Sequence, residues 1–202
     1  MLKARIAVLV SGGGTNLQAL INAQQNGIIS SGEIKLVVSN KPAVYALERA
    51  KNANVESIVI NKKELGQEAF EQQLVAVLEE KKIDLIVLAG FLCILTEDFV
   101  KRYPNRILNI HPSLIPSFCG KGYYGLKVHE EALARGVKIT GATVHFVNEI
   151  PDGGEILLQK AVAIPEGISA EALQKLVMEE AEWILLPAGV EKVSAHILQA
   201  RS

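Results

Sequence analysis

The chain has 202 residues, 49% of them apolar and 21% charged, with a formal net charge of −1. That length suits one domain burying about 70% of its unfolded surface, and the balance excludes a disordered chain or a broad basic footprint for nucleic acid. Cys93 and Cys119 are the only cysteines and lack a C-x-x-C spacing, so free thiols are expected rather than a zinc knot or a disulfide framework.

The opening run MLKARIAVLV is too short to span a bilayer and leads into Ser-Gly rather than a small-residue cleavage site. Residues 4–10 therefore read as a buried strand of a cytoplasmic protein. Apolar runs at 34–38, 56–60 and 83–89 alternate with segments of helical period at 15–27, 43–54 and 67–82, the signature of βαβ units. Runs 4–10 and 83–89 are apolar enough to be covered on both faces, which puts them at the centre of the sheet. In the third helical segment Phe70, Leu74, Val77 and Leu78 form a core-facing stripe.

After Gly90 come an apolar loop, a helix around 96–103 and a fifth strand in RILNIHPSLIP, whose prolines forbid continuation. Segment 117–126 combines three glycines with two tyrosines and reads as a mobile flap. A helix at 127–136, strands in TGATVHFV and EILLQKAVAI, and an amphipathic helix at 169–186 stopping before Pro187 complete the chain. The fold class is α/β: an open, mainly parallel, Rossmann-like sheet with helices on both faces, forming a single domain over 1–202.

Strand 4–10 runs into Ser11-Gly12-Gly13-Gly14-Thr15-Asn16 and then a helix, so backbone N–H groups can converge on a phosphate there. The pattern is neither a G-x-x-x-x-G-K-[ST] loop nor a G-x-G-x-x-G fingerprint, which favours a single terminal phosphate over a nucleoside triphosphate or a dinucleotide. The alternative is a tight strand-to-helix turn with Thr15 as N-cap.

On the fifth strand the two-residue period sets Asn109 and His111 on one face, roughly 7 Å apart. An amide N–H and a protonated imidazole N–H flanking one carbonyl would stabilise an oxyanion. Asp152, before Gly153-Gly154, is either a turn residue bonding its own backbone or, if the fold brings it beside His111, a carboxylate that raises the imidazole pKa and relays a proton through water. Thr143 and His145 share a strand face; His145 reads equally as support for this centre or as a surface residue. His129 and His196 read as solvated helix positions. The apolar loop Phe91–Leu95 follows a strand's carboxyl end, where open α/β sheets bind ligands, and either accepts a ring system or packs into the core. Tyr123 and Tyr124 are either a latch on the flap or ordinary exposed aromatics.

Gly12 to Gln18, Ala89-Gly90-Phe91, Asn109 to Pro116 and Asp152-Gly153-Gly154, all in order, make the sequence resemble the phosphoribosylglycinamide formyltransferases from residue 4 to residue 190. The resemblance implies transfer of a formyl group from 10-formyltetrahydrofolate to the amine of glycinamide ribonucleotide, in de novo purine synthesis. It implies catalytic roles for Asn109, His111 and Asp152. It implies phosphate contacts from Gly12, Gly13, Gly14, Thr15 and Asn16, with Glu182 at the glycinamide end. Leu92, Cys93, Ile94 and Leu95 would line the pterin slot, with Asn109 and Asp152 also meeting the folate. Gln67, near the folate's glutamate tail, and Cys93 stand where many relatives carry arginine.

The same resemblance implies no metal, no nucleic acid and no membrane, and a monomer or homodimer with a phosphate-binding N-terminal half and a folate-binding, catalytic C-terminal half. The shorter Asn-x-His-Pro-Ser-Leu-x-Pro pattern with a later Asp is shared with formyltransferases acting on methionyl-tRNA, on sugar amines or on water. A sugar-nucleotide acceptor, and a binding module that has lost the reaction, are the two rival expectations.

Overall fold

The computed structural model describes residues 2–201. Its centre is a seven-stranded sheet in the order β3-β2-β1-β4-β5-β6-β7. Strands β1 (Ala4–Val10), β2 (Gly32–Ser39), β3 (Ser57–Val59), β4 (Leu85–Leu88) and β5 (Ile107–His111) run parallel. Strands β6 (Ile139–Phe146) and β7 (Ile156–Ala163) complete it in antiparallel pairing. The expected open, mainly parallel α/β sheet is the fold observed.

β1 shows how the pattern becomes a core. Ile6, Val8 and Val10 pack with Leu17 and Leu20 of α1 (Thr15–Gln25) on one face. Ala7 and Leu9 pack with Phe70, Leu74 and Leu78 of α3 (Lys62–Glu80) on the other. Alternate side chains of one strand thus feed two separate apolar layers, and Val77, third of the expected stripe, is only partly buried.

The chain leaves β1 towards β2 and β3, then returns to lay β4 on the opposite side of β1. This reversal opens a crevice at the carboxyl ends of β1 and β4, the place where such sheets bind ligands. The loops entering it are Ser11–Gly14 and Gly90–Thr96.

Two helix boundaries differ from expectation by more than two residues. α3 starts at Lys62 instead of 67, with the Asn61 side chain capping Lys63 N at 3.2 Å, and is broken at Gly66 (φ 77°, ψ 175°). A glycine takes that left-handed value without a Cβ penalty, so a capped first turn precedes the periodic stripe and hides from it. At the other end the chain does not stop before Pro187. α6 (Ala170–Val177) passes through a π turn at Met178–Glu182 into α7 (Trp183–Gln199), which contains Pro187. A proline in a helix removes one i→i−4 bond, and here it comes one α-helical turn after a stretch wound out of α register.

Candidate active site

Asn109 and His111 lie on β5, directly across from His145 and Thr143 on β6. The cross-strand pairing brings Asn109 Nδ2 within 3.1 Å of His145 Nε2. His145 is buried, and its other ring nitrogen, Nδ1, lies 2.8 Å from the Phe146 carbonyl. With Nδ1–H donating to that carbonyl, Nε2 is the ring nitrogen turned to the Asn109 amide and the Asp152 carboxylate. Of the two readings of His145, the supporting one holds.

Asp152 reaches the same place from the β6–β7 turn. Its backbone is left-handed (φ 56°), a conformation Asp tolerates better than most residues. The turn closes so tightly that a Cβ on Gly154 would collide with the Phe146 carbonyl. Asp152 Oδ2 accepts the Gly120 N–H at 2.8 Å and lies 3.5 Å from His111 Nδ1. Oδ1 lies 3.5 Å from Asn109 Nδ2 and 3.6 Å from His145 Nε2. His111 Nε2 meets the Phe118 carbonyl at 2.8 Å.

These contacts set the charges. Burial alone pushes the Asp152 carboxyl up, but His145, His111 and the Gly120 N–H together hold it below its ordinary value. For His111 burial dominates: its pKa is lowered, although Asp152 and the Phe118 carbonyl pull it upward. The expectation that the carboxylate would leave His111 raised is corrected, because the imidazole is almost wholly enclosed and enclosure penalises its charged form more than one carboxylate at 3.5 Å favours it. The resting pair at neutral pH is an ionised Asp152 and a neutral His111.

A cavity of about 640 Å³ joins this cluster to the loop Gly90–Leu95 and reaches Asn16, while Gly12, Gly13, Gly14 and Thr15 do not line it. Leu92, Cys93, Ile94 and Leu95 line it, as do Asn16 and Glu182. Tyr123 and Tyr124 line it too; Tyr124 is exposed, while Tyr123 leans on Phe118 with ring centroids 6.5 Å apart. Asn16 donates from Nδ2 to Glu182 Oε2 at 2.7 Å, and its own Oδ1 is buried without a partner. Glu182 is enclosed and its carboxyl is pushed up by burial against the opposing pull of Asn16. A buried unsatisfied oxygen beside a carboxylate is a site for an N–H donor.

Gly14, not Thr15, is the N-cap of α1, with φ 73° and no side-chain bond. Thr15 occupies the first helical position and its Oγ1 lies 3.7 Å from Met178 Sδ. A Cβ at Gly14 would sit 2.7 Å from the Ala46 Cβ on α2 (Tyr45–Asn52), while Gly12 and Gly13 face open space. Ser11 Oγ accepts the Leu92 N–H at 2.8 Å, fastening the glycine loop to the apolar loop.

Gln67 does not line the cavity. Its Nε2 donates to Glu71 at 2.6 Å and to the Ile94 carbonyl at 3.1 Å, and buried Glu71 also accepts from Thr96 N (2.7 Å) and Thr96 Oγ1 (2.5 Å). Gln67 braces the apolar loop from behind. Both cysteines are free, Cys93 buried and Cys119 half-buried. The sequence left out three contributors to Asp152 and its neighbours: the Gly120 N–H, the Phe118 carbonyl and His129. The first two are backbone groups with no side-chain signal. His129, on α5 (Leu126–Arg135), is not the solvated residue expected but fully buried, with both ring nitrogens unpaired and its pKa lowered to about 4 by burial and by His111. Among the described residues, no cluster of His, Cys, Asp or Glu could hold a metal ion, and no helix is long and apolar enough to cross a membrane.

Residues 4–188 match the family described as Formyl transferase. The chain belongs to that family. Among formyl transferase relatives it is 44% identical to the human "Trifunctional purine biosynthetic protein adenosine-3" over 98% of its own length, which is 19% of that protein. It is 38% identical to the Arabidopsis thaliana "Phosphoribosylglycinamide formyltransferase, chloroplastic", over 88% of its length and 61% of that protein's. The chain thus spans a minor part of the first and less than two thirds of the second. Solved formyl transferase structures include glycinamide ribonucleotide transformylase 1 from Symbiobacterium toebii (TM-score 0.89, 37% identity, 96% of this chain and 89% of that one). Phosphoribosylglycinamide formyltransferase from Brucella melitensis superposes with a TM-score of 0.86 at 39% identity, covering 96% of each chain.

Proposed function

We propose that this protein transfers the formyl group of 10-formyltetrahydrofolate to the amine of N1-(5-phosphoribosyl)glycinamide, yielding formylglycinamide ribonucleotide for purine synthesis. The observation carrying this reading is the continuous cavity that joins the Asn16–Glu182 pair to Asn109, His111 and Asp152. It provides one end for a phosphorylated amine, an apolar wall for a flat ring, and polar groups where the two substrates meet. A folate fits the second part: the residues Leu92, Cys93, Ile94, Leu95 and Val147 that line it are apolar, as a ring system requires. The folate supplies an activated formyl carbon there.

The residues act on that carbon in a definite order. The glycinamide amine is oriented by Asn16 Oδ1 and Glu182 and attacks; orientation supplies a large share of the rate. Asn109 Nδ2 and a His111 N–H stabilise the negative charge developing on the formyl oxygen. Because Asp152 is already ionised, it favours charge on His111 as that oxygen becomes negative, and it receives the amine's surplus proton through water for return to the leaving nitrogen. Phosphate binding falls to the N–H groups of Gly12–Gly14 and the first turn of α1, where Thr15 and Asn16 stand. In this reading one domain holds a phosphate-binding N-terminal half and a catalytic C-terminal half, and it works as a monomer or homodimer in the cytoplasm on small molecules alone.

The test is formyl transfer by the purified protein with both substrates. His111→Ala and Asp152→Asn are expected to lose most turnover while keeping the fold; near-normal turnover in both variants overturns the assigned chemistry.

A further inference from the structure

We propose that Arg49 is a positioning residue for the phosphate-receiving loop, setting the orientation of the glycine amides from the neighbouring helix α2. This rests on the function proposed above. The Gly12 carbonyl accepts the Ala46 N–H at 3.1 Å, and the next carbonyl, of Gly13, accepts Arg49 Nε at 2.8 Å. Two successive loop carbonyls are thus turned onto α2.

A trans peptide is planar, with its C=O and the following N–H pointing in opposite directions. Fixing the Gly12 and Gly13 carbonyls on α2 therefore aims the N–H groups of Gly13 and Gly14 away from it. There they join the unbonded first-turn amides of α1 in a concave set of donors suited to an anion. Ala46 packs so closely under Gly14 that the loop cannot settle deeper onto α2, so the polar tether and the steric stop define one conformation together. Asn16, at the end of this loop, lines the cavity and carries a buried Oδ1 without a hydrogen-bond partner, so its inner boundary is set up for a ligand as well.

Arg49 is itself held. Its NH1 donates to Gln18 Oε1 at 3.0 Å, and its guanidinium lies over the Tyr45 ring, 4.9 Å from the centroid. The planar, permanently charged fork serves two acceptors at once and stacks on an aromatic face, which a lysine cannot reproduce. The side chain thereby also places a fixed positive charge beside the loop.

The experiment compares wild type with Arg49→Met, Arg49→Lys and Gln18→Leu on two acceptors, glycinamide ribonucleotide and its dephosphorylated riboside. For Arg49→Met, KM for the ribonucleotide is expected to rise about tenfold or more, as for a lost charge-assisted hydrogen bond, with kcat and kcat/KM for the riboside within about twofold of wild type. Arg49→Lys recovers part of the loss, and Gln18→Leu, which loosens Arg49 without touching the loop, gives a smaller rise in the same parameter. Equal losses on both acceptors, or no change in KM, overturn the proposal. If wild type formylates neither acceptor, the functional reading fails by itself. The loop proposal is then decided by ribose 5-phosphate binding in calorimetry, which must be weaker in Arg49→Met than in wild type for it to stand; equal binding, or none by wild type, overturns it.

Discussion

Nδ1 of His111 and Oδ2 of Asp152 lie 3.5 Å apart, joining a strand of the sheet to a turn of the opposite hairpin. The same carboxylate oxygen accepts the Gly120 N–H. One atom therefore ties the histidine's charge to the position of the 117–126 segment.

That link fixes a pH dependence. The His111 pKa is lowered by burial and partly restored by Asp152, so the free protein holds a neutral imidazole above its pKa and a charged one only below it, under pH 6.5. Asp152→Asn removes the restoring charge and should shift His111 titration further down, visible as a lower midpoint of its ring-proton shift in NMR. An unmoved midpoint would show that the two groups are electrostatically independent. kcat in the same variant is expected to fall by about 100- to 10,000-fold, the usual contribution of a proton-transfer group.

Asn109→Ala removes a donor whose amide is aligned by His145 and Asp152. A loss in kcat of about 100- to 1000-fold follows for an oxyanion donor, with KM for either substrate changed much less. Steady-state kinetics with each substrate varied in turn separate the two. A variant that binds poorly but turns over normally assigns Asn109 to binding.

His129 predicts an acid-sensitive fold. Its pKa is about 4 in the folded chain against 6.5 for a solvated histidine. The unfolded chain therefore binds a proton that the folded one refuses between those values. The stability contribution is fully present above pH 6.5, falls as pH drops towards 4, and totals about 3 kcal/mol. Urea unfolding at pH 7.5 and pH 5 should show a larger drop for wild type than for His129→Leu, which has nothing to titrate and leaves no orphaned ring nitrogen. Identical drops would mean that His129 is solvated in the folded protein.

Gly14→Ala adds a Cβ 2.7 Å from that of Ala46 at a residue with φ 73°, so steric overlap and an unfavourable dihedral combine. A loss of about 1–3 kcal/mol is expected in urea unfolding. Gly12→Ala and Gly13→Ala, where the added atom meets open space, should cost far less stability. The contrast between neighbours is the measurement: three equal losses would remove the Gly14–Ala46 contact as the cause.

Periodicity made the strands legible because burial on both faces writes itself into β1 and β4 as unbroken apolar runs. The two-residue spacing of Asn109 and His111 likewise survived intact, since a strand imposes it. What failed to show were features with no periodic or side-chain signature. The Asn61 cap and Gly66 break lie ahead of the apolar stripe of α3. The burial of His129 depends on α5 packing behind the site, which one helix's own sequence does not record. Pro187 reads as a stop, yet it lies in the second turn of α7, whose continuation past it is set by packing that the local sequence does not record. The bond from Gln67 to Glu71 was equally hidden, because the burial of Glu71 is a tertiary fact.

The π turn at Met178–Glu182 also sets the azimuth of everything after it. In an α-helix each residue advances the side-chain direction by about 100°, so losing one residue from this stretch would swing Glu182 away from Asn16 or force α7 to roll off the sheet. The position of one carboxylate and the seating of a whole C-terminal helix are the same angular quantity, and a length change that a surface loop would absorb is felt here at both ends.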